Sequence, residues 1–240
     1  MSILIDTHCH IDYFGDPIAT AKSYEANNLS CVMVSMLPSH YQMALSHLEP
    51  FGVIRPALGM HPLRAKEGRN EIKQFLSMVE GVEFIGEIGL DHSSEGRDSK
   101  AIQEEVLGKI LPSIGAGKFV SVHSREAHKP LHEMLNKFSV GPVCFHYFIG
   151  GSDSALKLVS AGHFFSVNIK MLKGRHRVLL DCLPKERILV ESDGPFLTKE
   201  PIRAVKEAYA LLGNVWGMSE CAVIKLLKDN FNKCRTVTRG

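Results

Sequence analysis

Eight short apolar runs, each followed by a helical pattern, leave this chain few folds to adopt. The runs are ILIDTHCH, LSCVMVSM, GVIRPALGM, VEFIGEIGL, KFVSVHS, GPVCFHYF, HFFSVNI and ERILVESD. Their length and richness in Val, Ile and Phe mark them as buried strands. Helical patterns fill 17–28, 39–50, 69–80, 99–115, 127–138, 152–161, 174–182 and 200–212. Within 99–115, Ile102, Val106, Ile110 and Ile114 recur at helical spacing. A last helix over 219–232 opens on Ser219 as cap and Glu220 as first-turn acid. Eight βα units without a linker, charge run or low-complexity stretch predict one domain over 1–240, a (β/α)8 TIM barrel. A doubly wound sheet would place a glycine-rich phosphate turn after the first strand, and DTHCH stands there instead.

Barrel active sites form at the C-terminal ends of the strands, and here those ends carry an unusual set of residues. Strand one ends in Asp6, His8 and His10; strand four in Glu87 and Asp91; strand five in His123; strand six in His146; strand eight in Asp193. His8 and His10 are two residues apart, so on a strand they face the same side, about 6.5 Å apart along the chain. A lone histidine at a strand end is more often a satisfied polar residue than a ligand. Glu87 alone could pair with an arginine, and Asp193 before Gly194-Pro195 could start a turn. Five strand ends meeting on one rim change that balance. Four imidazoles with two or three carboxylates suit Zn²⁺, Mn²⁺ or a similar cation, and they outnumber what one tetrahedral ion needs. Two ions bridged by a carboxylate would use them all. Asp6 is expected to support the histidines rather than bind metal, since it shares their face only if the strand is regular.

Composition excludes several classes. A net charge of +2 over 240 residues is too mild for a general nucleic-acid coat, though it permits a local basic patch. The six cysteines are scattered with no C-x-x-C pair, which predicts reduced thiols rather than a disulfide framework. No apolar run is long enough to span a bilayer and no signal-peptide pattern opens the chain, so a cytoplasmic protein with no membrane partner is expected.

The motifs D-T-H-C-H, G-M-H-P, G-E-I-G-L-D, V-H-S-R-E-A, C-F-H-Y-F-I-G-G and E-S-D-G-P-F-L occur in an order that resembles TatD-family hydrolases. These are metal-dependent deoxyribonucleases of the amidohydrolase superfamily, and the resemblance covers essentially the whole chain. It implies two divalent metal ions (Zn, Mg or Mn). His8 and His10 would hold the first, Glu87 would bridge, and His123 and His146 would complete the second. Asp193 would bind the first metal and act on the nucleophilic water, making Asp193 and Glu87 the catalytic pair. His61 matches the G-x-H-P histidine and Arg125 the arginine after the metal-binding histidine; both are expected at the substrate phosphate. The chain departs from the family where GLDHSS lacks the aromatic residue that commonly follows GLD, and where CFHYFIGG replaces HCFSGS. FFSVNIKML and ESDGPFL resemble the TatD-like component of Qat anti-phage defence systems, which implies partners from a defence operon.

The expected reaction is hydrolysis of a DNA phosphodiester by a two-metal-activated water, as a 3′–5′ exonuclease on single-stranded ends, in phage defence or DNA repair. Arg64, Lys66 and Arg69 after strand three, and Lys170, Lys173, Arg175 and Arg177 after strand seven, would form a modest positive funnel on the metal-bearing rim. Phe14, Tyr147 and Phe196 follow strand ends and are candidates for base stacking, with ordinary packing as the plainer role. Two readings compete: hydrolysis of another ester or amide, such as a D-aminoacyl-tRNA, with the same metals, and a non-catalytic partner in a defence complex.

Overall fold

The computed structural model of the chain describes residues 3–48 and 50–235. Eight parallel strands follow one another in sequence order: β1 (Leu4–Cys9), β2 (Leu29–Val34), β3 (Ile54–Met60), β4 (Phe84–Gly89), β5 (Phe119–His123), β6 (Cys144–His146), β7 (Phe164–Val167) and β8 (Ile188–Val190). β8 returns to β1 and nearly closes the barrel. The Thr7 hydroxyl donates to the Val190 carbonyl (3.0 Å), Asp193 N–H to the His8 carbonyl (2.9 Å) and His10 N–H to the Gly194 carbonyl (2.8 Å).

Helices α1 (Pro17–Ala26), α2 (Pro38–Leu48), α3 (Ala65–Met78), α4 (Lys100–Ile110), α5 (His128–Lys137), α6 (Ser152–Ser160), α7 (Ile169–Lys173), α8 (Leu179–Cys182) and α9 (Pro201–Trp216) ring the strands. Each strand therefore buries one face against helices and the other in the barrel, which is why its sequence is nearly all apolar. The interior is a compact group that includes Val34, Ala57, Phe84, Phe119, Phe164 and Leu189. The final helix α10 (Glu220–Arg235) closes the N-terminal end of the barrel. Its Phe231 ring lies 5.0 Å from Phe119 and 6.4 Å from Phe84. Asn230 Nδ2 donates to the Lys185 and Ile188 carbonyls, both at 2.8 Å. With the bottom plugged, the opposite rim is the open end.

The expected strands all form, and most helices lie where their periodicity puts them. The helix expected over 174–182 does not form as one element. Gly174 is extended there, and the chain instead makes α7, a 3-10 turn at Arg175–Val178 and then α8. Asn168 starts α7 by accepting a side-chain hydrogen bond from Met171 N–H (3.1 Å). α9 outruns the expected 200–212 and stops at Gly217, whose φ of 61° suits glycine. Position 49, within the expected 39–50 helix, lies outside the described residues. No single helix among the described residues is long and apolar enough to cross a membrane.

Truncating Phe231 to Ala should leave a cavity at the plugged end and cost about 3 kcal/mol of stability. The denaturant midpoint of the full chain would report it, and an unchanged midpoint would mean that α10 does not close the barrel in solution.

Candidate metal centre

The site begins with an irregularity in β1. Its register against β2 shifts between Asp6 and Cys9, the signature of a bulge. Ile5 packs with the barrel interior, and Cys9 packs in the helical layer. Asp6 turns to the helical side, where its Oδ2 accepts from the buried Tyr24 hydroxyl (2.6 Å). Its Oδ1 accepts from the backbone N–H of His8 (3.2 Å) and Ser192 (2.9 Å). Asp6 therefore fixes the backbone that presents His8 and does not touch the imidazoles. Burial pushes its carboxyl up to about 6 against those hydrogen bonds.

Glu87 sits at the centre of the rim. Gly86 and Gly89 flank it with φ of 151° and 142°, and a Cβ at Gly89 would fall 2.1 Å from the His123 carbonyl oxygen. Only glycine lets β4 approach β5 this closely. Glu87 Oε1 lies 2.6 Å from His123 Nδ1 and 2.7 Å from His146 Nε2. Its Oε2 lies 3.4 Å from His8 Nε2, 3.3 Å from His10 Nε2 and 3.4 Å from His61 Nε2. Asp193 Oδ1 stands 4.0 Å from His8 Nε2 and 3.9 Å from His10 Nε2.

These donors fit divalent cations. Bonds of about 2.1 Å in a tetrahedral shell put ligand atoms about 3.4 Å apart. His8 Nε2, His10 Nε2 and Glu87 Oε2 form a triangle with edges of 3.3, 3.3 and 3.4 Å. His8 Nδ1 and Ser121 Oγ share a hydrogen bond (2.8 Å), which leaves Nε2 facing the site. The second set comprises Glu87 Oε1, His123 Nδ1 and His146 Nε2, whose two nitrogens are 3.3 Å apart. His123 turns its other nitrogen to Asp91 Oδ2 at 2.8 Å. His61 differs. Its Nδ1 accepts from Leu63 N–H (3.1 Å), so the ring proton is on Nε2 and points a donor, not a lone pair, into the site.

Electrostatics point the same way. Burial and the neighbouring His146 hold His8 well below its ordinary value, so its ring is neutral. Burial works against the Glu87 charge, yet His146, His61, His123 and His8 together hold its carboxyl well below the usual range. Burial also opposes protonation of His146, but Glu87, Glu191 and Asp193 raise it to about 10. Burial raises Asp193. Protons on the imidazoles and cations between them are thus alternative ways to neutralise one buried carboxylate.

The rim opens into a cavity of about 710 Å³ with His10, His61, Glu87, His123, His146 and Asp193 at its base. Apolar side chains including Met36, Leu63, Phe148, Ile149, Phe196 and Leu197 form much of its wall. None of the residues expected to form a basic funnel (Arg64, Lys66, Arg69, Lys170, Lys173, Arg175 and Arg177) lines this cavity. Among the described residues, Arg125 is the one arginine or lysine lining this cavity, and its Nη1 donates to Glu95 Oε1 at 2.7 Å. Arg69 pairs with Glu105 (2.6 Å), Lys173 with Glu207 and Arg64 with Glu67. Phe14 is not at the cavity but packs beside Gly194, while Tyr147 and Phe196 do line it.

Two site residues went unnoticed in the sequence. Ser121 lies two positions before His123, and strand alternation places both on the inner face. Glu191 lies two before Asp193, fully buried, and burial with Asp193 nearby raises it to about 8 against His146 and its hydrogen bonds. It accepts from Tyr147 N–H (3.1 Å), Asn168 Nδ2 (2.9 Å) and the Ser166 hydroxyl, and stands 3.8 Å from His146 Nδ1.

Comparison with known proteins agrees with this geometry. The sequence profile described as TatD related DNase matches residues 5–235. The human protein called deoxyribonuclease TATDN3 is 28% identical over 218 residues, 82% of this chain and 80% of its own. A Bacillus subtilis protein, YabD, called an uncharacterized metal-dependent hydrolase, is 28% identical over 218 residues, 84% of each. In fold, the chain is similar to YjjV, a TatD homolog from Escherichia coli, with a TM-score of 0.80 at 20% identity over 96% of this chain and 97% of that one.

Removing the Ser121 hydroxyl (Ser121→Ala) should free the His8 ring and weaken metal binding about 10–100-fold. Competition against a metal chelator, with the circular dichroism spectrum as a folding control, would measure this. Unaltered affinity would mean that Ser121 does not orient His8.

Proposed function

The chain belongs to the family of TatD-related DNases, and we propose that it is a metal-dependent phosphodiesterase that trims single-stranded DNA from the 3′ end. One observation carries the reading: Glu87, buried at the base of the cavity, turns Oε1 to His123 and His146 and Oε2 to His8 and His10, with the His61 N–H also beside Oε2. That is the arrangement a bridging ligand between two cations requires. His8, His10 and Asp193 would hold one ion and His123 and His146 the other, with Glu87 between them. Bound there, a pair of Zn²⁺, Mg²⁺ or Mn²⁺ ions would supply Lewis acidity towards water and phosphoryl oxygen at neutral pH.

The remaining chemistry belongs to the side chains. As water attacks phosphorus, the Asp193 carboxylate takes its proton, and delivers it to the sugar oxygen released when the P–O bond breaks. His61 Nε2–H donates towards the phosphoryl oxygen, and Arg125 offers a planar pair of donors once the phosphate competes with Glu95.

Support for end trimming comes from the size of the cavity and the charge around it. A volume of about 710 Å³ is that of a small-ligand site, closed at its base by Glu87 and the histidines, so it suits a strand end and not a duplex passing through. A single lining arginine supplies few phosphate contacts. Placing this activity in phage defence, beside other proteins of a defence operon, rests on the resemblance of FFSVNIKML and ESDGPFL alone.

On end-labelled single-stranded DNA, Asp193→Asn should lower kcat by about 10²–10⁴-fold. Glu87→Ala should abolish both trimming and the metal content found by elemental analysis. Shortening from the 5′ end would reverse the polarity. No shortening, with turnover of an ester or of D-aminoacyl-tRNA lost in Asp193→Asn, would move the substrate away from DNA. Unimpaired biological activity in both variants would make the domain a non-catalytic partner.

A further inference from the structure

Among the large apolar side chains that face solvent, two meet beside His10 at the rim, Phe196 lining the cavity and Tyr13 next to it. Tyr13 is 38% and Phe196 54% exposed. Their ring centroids are 5.4 Å apart, and both rings stand edge to face with His10, at 5.9 Å for Tyr13 and 4.9 Å for Phe196. Tyr13 ends the 3-10 turn Ile11–Tyr13 just after β1, and Phe196 follows β8 three residues after Asp193. The strands that bring His8, His10 and Asp193 to the rim thus carry an aromatic pair on their next turns. Packing alone does not account for leaving so much of both rings in water, since ring area returns free energy only when covered.

The corner also carries a cation. Burial raises the Tyr13 hydroxyl and the charge of Arg64 opposes that rise, while Arg64 Nε donates to Glu67 Oε1 at 2.8 Å. Arg125 and Glu95 reach the same cavity from the loops after β5 and β4, across the barrel from β1 and β8. An exposed π surface, a guanidinium beside it and a phosphate-directed centre within 6 Å of both rings describe the needs of one nucleotide unit.

Resting on the phosphodiesterase reading above, we propose that Tyr13 and Phe196 form a stacking platform for the nucleobase next to the scissile phosphate, with Arg64 facing the adjoining backbone. Stacking selects for the presence of a base and not for its identity, because every base has a π face. The platform holds a single-stranded end in register: the base lies against the β1–β8 corner and the phosphodiester lies over Glu87 and Asp193. It also separates DNA from phosphoesters that carry no base.

Phe196→Leu, Tyr13→Leu and the double variant test this in the full-length, metal-loaded protein, because leucine keeps bulk against His10 and removes the π face. Each is assayed on end-labelled single-stranded DNA ending in an ordinary nucleotide, and on the same strand ending in an abasic residue. The wild type should cleave the base-bearing end about tenfold faster in kcat/KM, mostly through KM, and the double variant should lose that preference. Equal losses on both ends would overturn the platform and leave Tyr13 and Phe196 as packing for His10. No preference in the wild type would overturn it as well. Calorimetric binding of dAMP against deoxyribose 5-phosphate separates this idea from the reading beneath it. If no DNA is cleaved but dAMP binds about tenfold tighter, and the double variant abolishes the difference, the phosphodiesterase reading falls and the platform stands. Equal binding of the two ligands by the wild type overturns the platform whatever the turnover.

Discussion

One buried negative charge organises the open end of this barrel. Glu87 is almost wholly removed from water, and a carboxylate in that position must be compensated by positive charge or give up its ionisation. Its two oxygens are met by five imidazoles carried on β1, the turn after β3, β5 and β6. Three of those rings are held by something behind them. Ser121 holds His8, Asp91 holds His123, and the Leu63 backbone fixes the His61 tautomer. Because the hydrogen-bonding ring nitrogens of His8 and His123 are already engaged, each turns its remaining nitrogen to the carboxylate. The surplus of imidazole over carboxylate gives the site both the donors and the charge balance to exchange protons for divalent cations.

That arrangement draws on backbone that is costly to hold. Asp193 and Tyr147 both have positive φ, 48° and 39°, and each adjoins or belongs to the group around Glu87. Residues other than glycine persist there only when their surroundings fix them, and such positions gather at functional sites. For Asp193 the fixing bonds are its N–H to the His8 carbonyl and the Leu197 N–H to its own carbonyl, both 2.9 Å. For Tyr147 it is the Glu191 carboxylate, which also receives Asn168 and Ser166 and lies beside His146. Glu191 ties the ends of β6, β7 and β8 together, so the second ligand set and the Asp193 turn share one support.

How much of this could be read from sequence followed from which interactions are local. Strand alternation puts His8 and His10 on one face, and both do turn Nε2 to Glu87 Oε2, although His8 lies within the β1 irregularity and His10 one residue past the strand. The same rule leaves the side of Asp6 open, and the bulge between Asp6 and Cys9 turns it towards Tyr24. Eight apolar runs make the barrel legible, whereas the break at Gly174 depends on Asn168 starting α7 early. Two of the expected funnel residues show a related effect: they look free in sequence, but their acidic partners are distant in it. Arg69 finds Glu105 and Lys173 finds Glu207, across helix–helix contacts that no local pattern records. Ser121 and Glu191 were hidden because a buried serine or glutamate on an apolar strand has no signature until its partner is placed.

The two ends of the barrel explain why such a polar cluster is tolerated. At the N-terminal end α10 inserts Phe231 against Phe84 and Phe119, and Asn230 satisfies two carbonyls that the strands leave over. That end is packed and closed. The C-terminal end cannot be closed in the same way, because the strands terminate there in carboxylates and imidazoles that need each other, a cation or water. Its surroundings are correspondingly unequal: the β1–β8 side carries exposed rings, and the β4–β5 side carries Asp91, Glu95 and Arg125. A ligand with an apolar aromatic part and an anionic part would lie across this opening in one direction only. The asymmetry follows from the seam itself, since β8 reaches β1 through backbone bonds of Asp193 and Gly194, and the turn that makes those bonds ends by presenting Phe196.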